Sequence, residues 1–453
     1  MTSSPVGLNI KWRPRSLLSA ILGTVVLLPI SYQWGGSEIF YIQLSIFCLF
    51  LLFYFVRHKV RVFTPLDQVV AVYLGWVIFG FLLNLLMSIF SGQEDLNRHR
   101  AFSLLAFFVS FSPYLVGRHY FSSERAVKDF INSMLITFSG VVFYFYYALF
   151  DFGLSDLNDA RVVMSQRIPM IICFVAIIAG SLAILGYRMK IYLLCLWIFG
   201  SVLIILSLTR AVYIQWLVSS IIIFFLLIKR GSIPRLVAVA LSLLLFFLLS
   251  PYVPLVPGHH IERIFERAAT VYTNIDLFGR STDGVDSVMV SIDESSSLRI
   301  LMWRALLDKL SENPLRWLVG FGQLGASYVG PSLVSEAGVY VPNYSAHSEY
   351  VDVLIRAGGV GLVLIVVILS TVIFRGFCVS GRSEVVGKIC FAHSIALVGV
   401  AFYGLFHEYL RYPIFGMYFW LYAGIVSSLL FQSPECLRSE QRDRNIHRNV
   451  MTR

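Results

Sequence analysis

The chain has 453 residues, of which 57% are hydrophobic and 14% charged, with a formal net charge of +10. A soluble core cannot absorb that composition, which points to an all-α protein embedded in a membrane. The positive charge needs no nucleic-acid partner, because a topology signal and attraction to anionic lipid account for it.

Apolar runs of about 17 to 25 residues recur along the chain, each long enough to cross a hydrocarbon layer as a helix. About twelve are expected, near 17–33, 39–56, 66–90, 101–117, 130–150, 169–187, 191–208, 211–228, 236–253, 353–374, 389–406 and 414–431. Lipid-exposed backbone must satisfy its own hydrogen bonds, so helices are the expected form. The first run follows a basic N-terminal stretch and lacks a small-residue cleavage site, which reads as an uncleaved signal anchor. Lys11, Arg13 and Arg15, then Arg57, Lys59 and Arg61, then Arg118, Arg125 and Lys128 fall in alternate connections. The same register takes in Arg188 and Lys190, Lys229, Arg230 and Arg235, Arg375, Arg382 and Lys388, and the arginines of the C-terminal tail. Short basic loops mark the cytoplasmic side, so both termini are expected there.

That register turns outward the connections at 34–38, 91–100, 151–168, 209–210, 254–346 and 407–413. The chain divides into nine membrane helices over 1–253, one large external loop over 254–346, three more membrane helices over 347–431, and a basic tail over 432–453. Cys48, Cys173, Cys195, Cys378, Cys390 and Cys436 all fall in expected spans or on the cytoplasmic side, so no disulfide framework is indicated.

The large loop carries helical periodicity of its own. Ile261, Ile264, Phe265, Ala268 and Tyr272 line one face of an amphipathic helix that lies on the membrane surface or under the rest of the loop. A second helix is expected from Ser297, as N-cap, to about Glu312, where Pro314 helps to stop it. Leu298, Met302, Ala305, Leu306 and Leu310 make its apolar stripe. Arg299 and Trp303 sit one turn apart on a neighbouring face, where they either grip an anion and a sugar or serve the small core of the loop. Gly320, Gly322 and Gly325 read as turn residues, since no Lys-Ser or Lys-Thr completes a phosphate loop. No Asp, Glu and His set has metal-ligand spacing, so neither a metal nor a cofactor is expected.

At the far end of the loop, His347 precedes a helix whose face holds Glu349, Asp352 and Arg356. A charged face at the mouth of a membrane helix looks into protein or a water-filled cavity rather than lipid. Gly358, Gly359 and Gly361 then allow close packing or a bend. On residue type alone His347 is either a hydrogen-bonded structural residue or a proton acceptor.

Three blocks, taken in order, resemble the superfamily of bacterial O-antigen ligases and polysaccharide polymerases. They are Leu208-Thr209-Arg210-Ala211; Ser297 through Trp303, followed by Asn313-Pro314 and Gly320-Phe321-Gly322; and Ala346-His347-Ser348-Glu349-Tyr350, followed by Leu354 and Gly358-Gly359-Val360-Gly361. Ser348 stands where the family usually has Asn, and Thr209 where it has Ser. The resemblance implies a polytopic, GT-C-like bundle with one large, partly helical periplasmic loop in the inner membrane. It also implies transfer of a glycan from undecaprenyl diphosphate to a sugar hydroxyl at the periplasmic face, without metal and with inversion. Repeat-unit polymerisation is the leading expectation, because many envelope pathways need a polymerase; transfer of finished polymer to lipid A-core is its nearest rival. By the same resemblance, His347, Arg299 and Arg210 are the catalytic residues. Arg280, Trp303, Arg304, Arg161 and Arg411 contact substrate, and Arg167 lines the route of the carrier. The implied partners are the lipid-linked donor, a glycan or lipid A-core acceptor, membrane lipids and a chain-length regulator. A flippase or transporter is a weaker expectation, since no internal repeat is evident and His393 is a rare ionisable residue in a span interior. A reporter fused at about residue 300 should signal an external location; a cytoplasmic signal would overturn the orientation.

Overall fold

The computed structural model describes residues 64–91, 95–121, 123–151, 168–206, 209–229, 294–329, 333–334, 340–341, 346–379, 384–410 and 413–431. The expected spans at 17–33, 39–56 and 236–253, the loop helix at 261–272 and the basic tail lie outside the described residues. In chain order the helices are α1 (Pro65–Ser91), α2 (Asp95–Phe111), α3 (Pro113–Tyr120), α4 (Glu124–Asp151), α5 (Ile168–Ile184), α6 (Lys190–Leu206) and α7 (Arg210–Lys229). Then follow α8 (Glu294–Ser311), α9 (Pro314–Val319), α10 (Ala326–Val329), α11 (Glu349–Val379), α12 (Glu384–Tyr403) and α13 (Pro413–Phe431). Between α10 and α11, β1 (Leu333–Val334) pairs antiparallel with β2 (Tyr340–Val341).

Among the described residues, five helical stretches are long and apolar enough to cross a membrane: Pro65–Phe90, His99–Tyr120, Glu124–Tyr147, Glu349–Cys378 and Glu384–Tyr403. Ile168–Ile184, Lys190–Ile204, Ala211–Leu226 and Phe415–Leu429 are shorter apolar helices. The span expected at 101–117 lies within His99–Tyr120, divided near its middle. Pro113 supplies no backbone N–H to the preceding turn, so α2 ends at Phe111 and Pro113 opens α3.

Every residue of α5 is buried, which places it at the centre of the bundle against α6, α7 and α12. On the other flank α13 packs on α2 and α3, and α11 packs on α1 and α12. Gly117 and Gly424 face each other across the α3–α13 contact, where a Cβ on either would strike the backbone of the other helix. A buried carboxylate ties this flank together. Asp67 accepts from the backbone N–H of Thr64 at 2.7 Å, from Tyr114 Oη at 2.5 Å and from Ser427 Oγ at 2.8 Å, and it pairs with Arg118 Nε at 3.1 Å. Four partners make the cost of burying that charge bearable.

The feature that positions the candidate site is a kink inside α11. Gly358 has φ 70° and ψ −175°, which breaks the helical ladder and frees carbonyls in the preceding turn. Those carbonyls are satisfied from elsewhere. Ile355 O accepts from Phe321 N at 2.8 Å, Arg356 O from Gln323 N at 3.1 Å, and Ala357 O from Trp76 Nε1 at 2.9 Å. The glycine run thus does bend the helix, and the bend is the docking point for the loop segment after α9 and for α1. A Cβ at position 358 would also collide with the carbonyl oxygen of Leu318. Gly358→Ala should therefore cost at least about 1–3 kcal/mol, read as a lower melting temperature of the detergent-solubilised protein; an unchanged melt would contradict this role.

Candidate functional site

The site is assembled from three segments far apart in sequence: α8, the corner 346–349, and the connection 404–410 between α12 and α13. Helix α8 begins at Glu294, so Ser297 lies inside it and is not its N-cap. The cap reading rested on side-chain type, and the ladder instead starts one turn earlier, at Glu294-Ser295-Ser296. Met302, Leu306 and Leu310 are buried as the apolar stripe requires. Leu306 and Leu310 form a small core with Phe321, Leu324, Ala326, Ala346 and Ile355. Asn313 then caps α9, its side-chain oxygen accepting from Leu315 N at 2.9 Å, with Pro314 as the first helical residue. Pro314 therefore starts the next helix as well as ending α8. Gly320 (φ 67°) and Gly322 (φ 64°) make the turn that brings Phe321 and Gln323 to the kinked end of α11. Asn84 Nδ2 donates to Gly320 O at 3.2 Å and holds the turn to α1.

This packing places α8 over the mouth of α11. Trp303 Nε1 donates to Ala346 O at 2.6 Å, so the tryptophan fixes the backbone immediately before His347. His347 itself is in the left-handed region, φ 47°, and its side chain is half-buried. That conformation is uncommon for a residue with a Cβ and persists only where its surroundings hold it.

They do so from the other side as well. The connection 404–410 is bound to the start of α11 by Glu349 N to Gly404 O at 2.8 Å and Ser348 Oγ to Gly404 O at 3.3 Å. Tyr350 Oη adds a bond to Ala401 O at 2.8 Å. The buried Glu349 carboxylate accepts from the backbone N–H groups of both Tyr409 and Leu410, at 2.6 and 2.8 Å, through one oxygen, Oε2. One turn on, Asp352 pairs with Arg356 Nε at 2.6 Å, the i, i+4 pairing read from the sequence. Arg356 Nη1 also donates to Gln323 O at 3.4 Å.

The result is a pair of imidazoles. His347 and His407 stand edge to face, with centroids 5.9 Å apart and planes at 85°. His407 is buried and stacks on Tyr403 at 5.2 Å and 20°. Arg299 of α8 supplies the local positive charge. Burial and the Arg299 guanidinium push the His347 pKa below its ordinary value. Burial, Arg299 and His347 push that of His407 down to about 3. Both rings are therefore neutral near pH 7, and a neutral imidazole beside a guanidinium can take a proton while the guanidinium holds an anion.

Of the residues singled out from the sequence, Arg299, Trp303 and His347 come together here. Arg304 is exposed on α8. Arg210 is the first residue of α7, where the backbone carbonyl of Thr209 accepts from Val212 N at 3.0 Å; its side chain lies outside the described residues. Arg161, Arg167, Arg280 and Arg411 also lie outside them. His407 was not singled out. Its signal was the order His407-Glu408-Tyr409 in a connection expected to face outward, which echoes His347-Ser348-Glu349-Tyr350. His393, the interior histidine, bonds through Nδ1 to Ile389 O at 2.8 Å and stacks on Tyr422 at 4.7 Å, as a structural residue would. Among the described residues, no group of three or more His, Cys, Asp or Glu is placed to hold a metal ion.

Residues 193–366 match the family model described as O-Antigen ligase. The match supports the O-antigen ligase and polymerase superfamily for this chain. It takes in Arg210, Arg299, Trp303 and His347, and it ends before the connection that carries His407. No curated protein matches the sequence. The family match and the apolar helices together point to a membrane protein and to an envelope polysaccharide glycosyltransferase type of function.

Glu349→Ala would leave the backbone N–H groups of the buried Tyr409 and half-buried Leu410 without this acceptor, a cost of about 1–3 kcal/mol for a buried group. It should lower the melting temperature and speed hydrogen exchange in residues 404–410. Exchange there at the rate of the unmodified protein would show that the carboxylate does not hold the connection.

Proposed function

We propose that this protein transfers a glycan from polyprenyl diphosphate to a sugar hydroxyl at the periplasmic face of the inner membrane, polymerising the repeat units of an envelope polysaccharide. The observation that carries the reading is the meeting of Arg299 and His347 at the mouth of α11, inside the segment that matches the family model. On this reading the segment over 254–346 lies outside the membrane as a large loop between membrane helices, about twelve in all.

The chemistry follows from what each group can hold. The leaving group is a lipid diphosphate, which gains negative charge as the glycosidic bond to it breaks. A guanidinium holds such oxygens bidentately at any physiological pH, which suits Arg299, with Arg210 as a second cation from the outer end of α7. The acceptor hydroxyl must lose a proton as it attacks the anomeric carbon. The neutral His347 ring takes that proton and orients the oxygen. Attack from the face opposite the diphosphate inverts the anomeric centre, and no step calls for a metal. Arg280, Arg304, Arg161, Arg167 and Arg411 are assigned to carrier and glycan contacts. The description of the matching family favours a second reading, in which the same donor chemistry passes finished polymer to lipid A-core.

In a strain lacking the chain, His347→Ala should lower polymer formation by roughly 10²–10⁴-fold and Arg299→Ala by roughly 10²–10³-fold, with both variants present in the membrane. Normal product from both would remove the mechanism. Single repeat units on an otherwise capped core in the deletion strain support polymerisation, whereas polymer left on the lipid carrier supports the ligase reading. The pH profile is a further check. A base whose pKa is lowered stays neutral at the ordinary histidine value of 6.5, so the rate should hold at pH 6.5 and fall only below it. A rate already halved at or above pH 6.5 would contradict the assignment.

A further inference from the structure

The second imidazole has no place in the reaction as derived so far, although its position is closely controlled. His407 is 7% exposed. Its surroundings hold it in one orientation. Tyr403 stacks on one face, and the connection that carries it is bound to residues 348–350 by the bonds of Gly404, Tyr409, Leu410 and Ala401 described above. Those bonds fix the backbone of His407 relative to that of His347, and the two rings meet edge to face at 5.9 Å.

We propose that His407 is a positioning residue of the transfer reaction, its imidazole holding the His347 ring in the orientation that receives the acceptor hydroxyl. The inference rests on the reading of His347 as the proton acceptor. A base that must meet a hydroxyl on a lipid-linked sugar needs its ring plane set before substrate arrives, because its own backbone, at φ 47°, leaves the side chain at the end of a corner rather than on a helix. Ser348 Oγ donates to Gly404 O at 3.3 Å and accepts from the N–H of Val351 at 3.5 Å. The ring of His407 stands edge to face against the imidazole. It acts through His347, and the acceptor oxygen delivers its proton to His347 alone.

Two substitutions separate positioning by the edge-to-face ring contact from simple packing. His407→Phe keeps an aromatic ring against the imidazole and the stack on Tyr403; His407→Leu keeps apolar volume but removes the ring. Each is reconstituted with the lipid-linked donor and scored for kcat, for KM and for melting temperature. The expected result is a roughly 10- to 100-fold fall in kcat for His407→Leu with KM for the donor unchanged, and recovery of most of kcat in His407→Phe. If His407→Leu works as well as the unmodified protein, if His407→Phe falls as far as His407→Leu, or if kcat in the two variants follows melting temperature alone, the proposal fails. His347→Ala in the same assay distinguishes the two levels. Loss of transfer there with full activity in His407→Leu overturns only the positioning role, whereas activity retained in His347→Ala overturns the reading beneath it.

Discussion

Irregular backbone at the mouth of a membrane helix must find its hydrogen-bond partners within the protein, and this end of the structure is organised by that constraint. It is met at two places on one helix. At Gly358 the break in α11 leaves carbonyls that take the N–H groups of Phe321 and Gln323 and the indole of Trp76. At the start of α11, Ala346 O takes the indole of Trp303, while Ser348 and Glu349 bind the connection after α12. Loop, kink and connection are thereby locked to one another, and the paired histidines sit where they meet.

The electrostatic consequence is a division of labour between one permanent charge and two neutral rings. Arg299 cannot lose its proton, and its field together with burial keeps His347 and His407 from gaining one. An anion entering this site meets a fixed cation, and a hydroxyl meets a neutral imidazole. Glu349, buried at the same corner, is committed to the backbone of Tyr409 and Leu410.

Much of this was legible in the residues. Three-to-four spacing placed Met302, Leu306 and Leu310 on the buried face of α8, and Gly320 and Gly322 occupy the positive-φ turn that only such residues take without strain. The Asp352–Arg356 pair also followed from spacing, and the glycine run left close packing or a bend open, of which Gly358 makes the bend. What escaped was set by tertiary contact or by local competition. Spacing left Trp303 either a core residue or a sugar contact; its indole bond to Ala346 depends on how α8 docks. Hydropathy alone ran through Pro113, where a missing N–H divides the helix. His407 sits in a short connection with no periodicity, so nothing local distinguishes it until the Glu349 carboxylate draws that connection against the His347 corner.

The central claim is that lipid diphosphate is the leaving group at this site. Purified protein in proteoliposomes, given a repeat unit on polyprenyl diphosphate as the sole glycan source, tests it most directly by counting lipid diphosphate released against glycosidic bonds formed. The account predicts one lipid diphosphate for each bond, with no nucleotide sugar added. Donor left intact by folded protein, or bonds formed only when a nucleotide sugar is supplied, would contradict it.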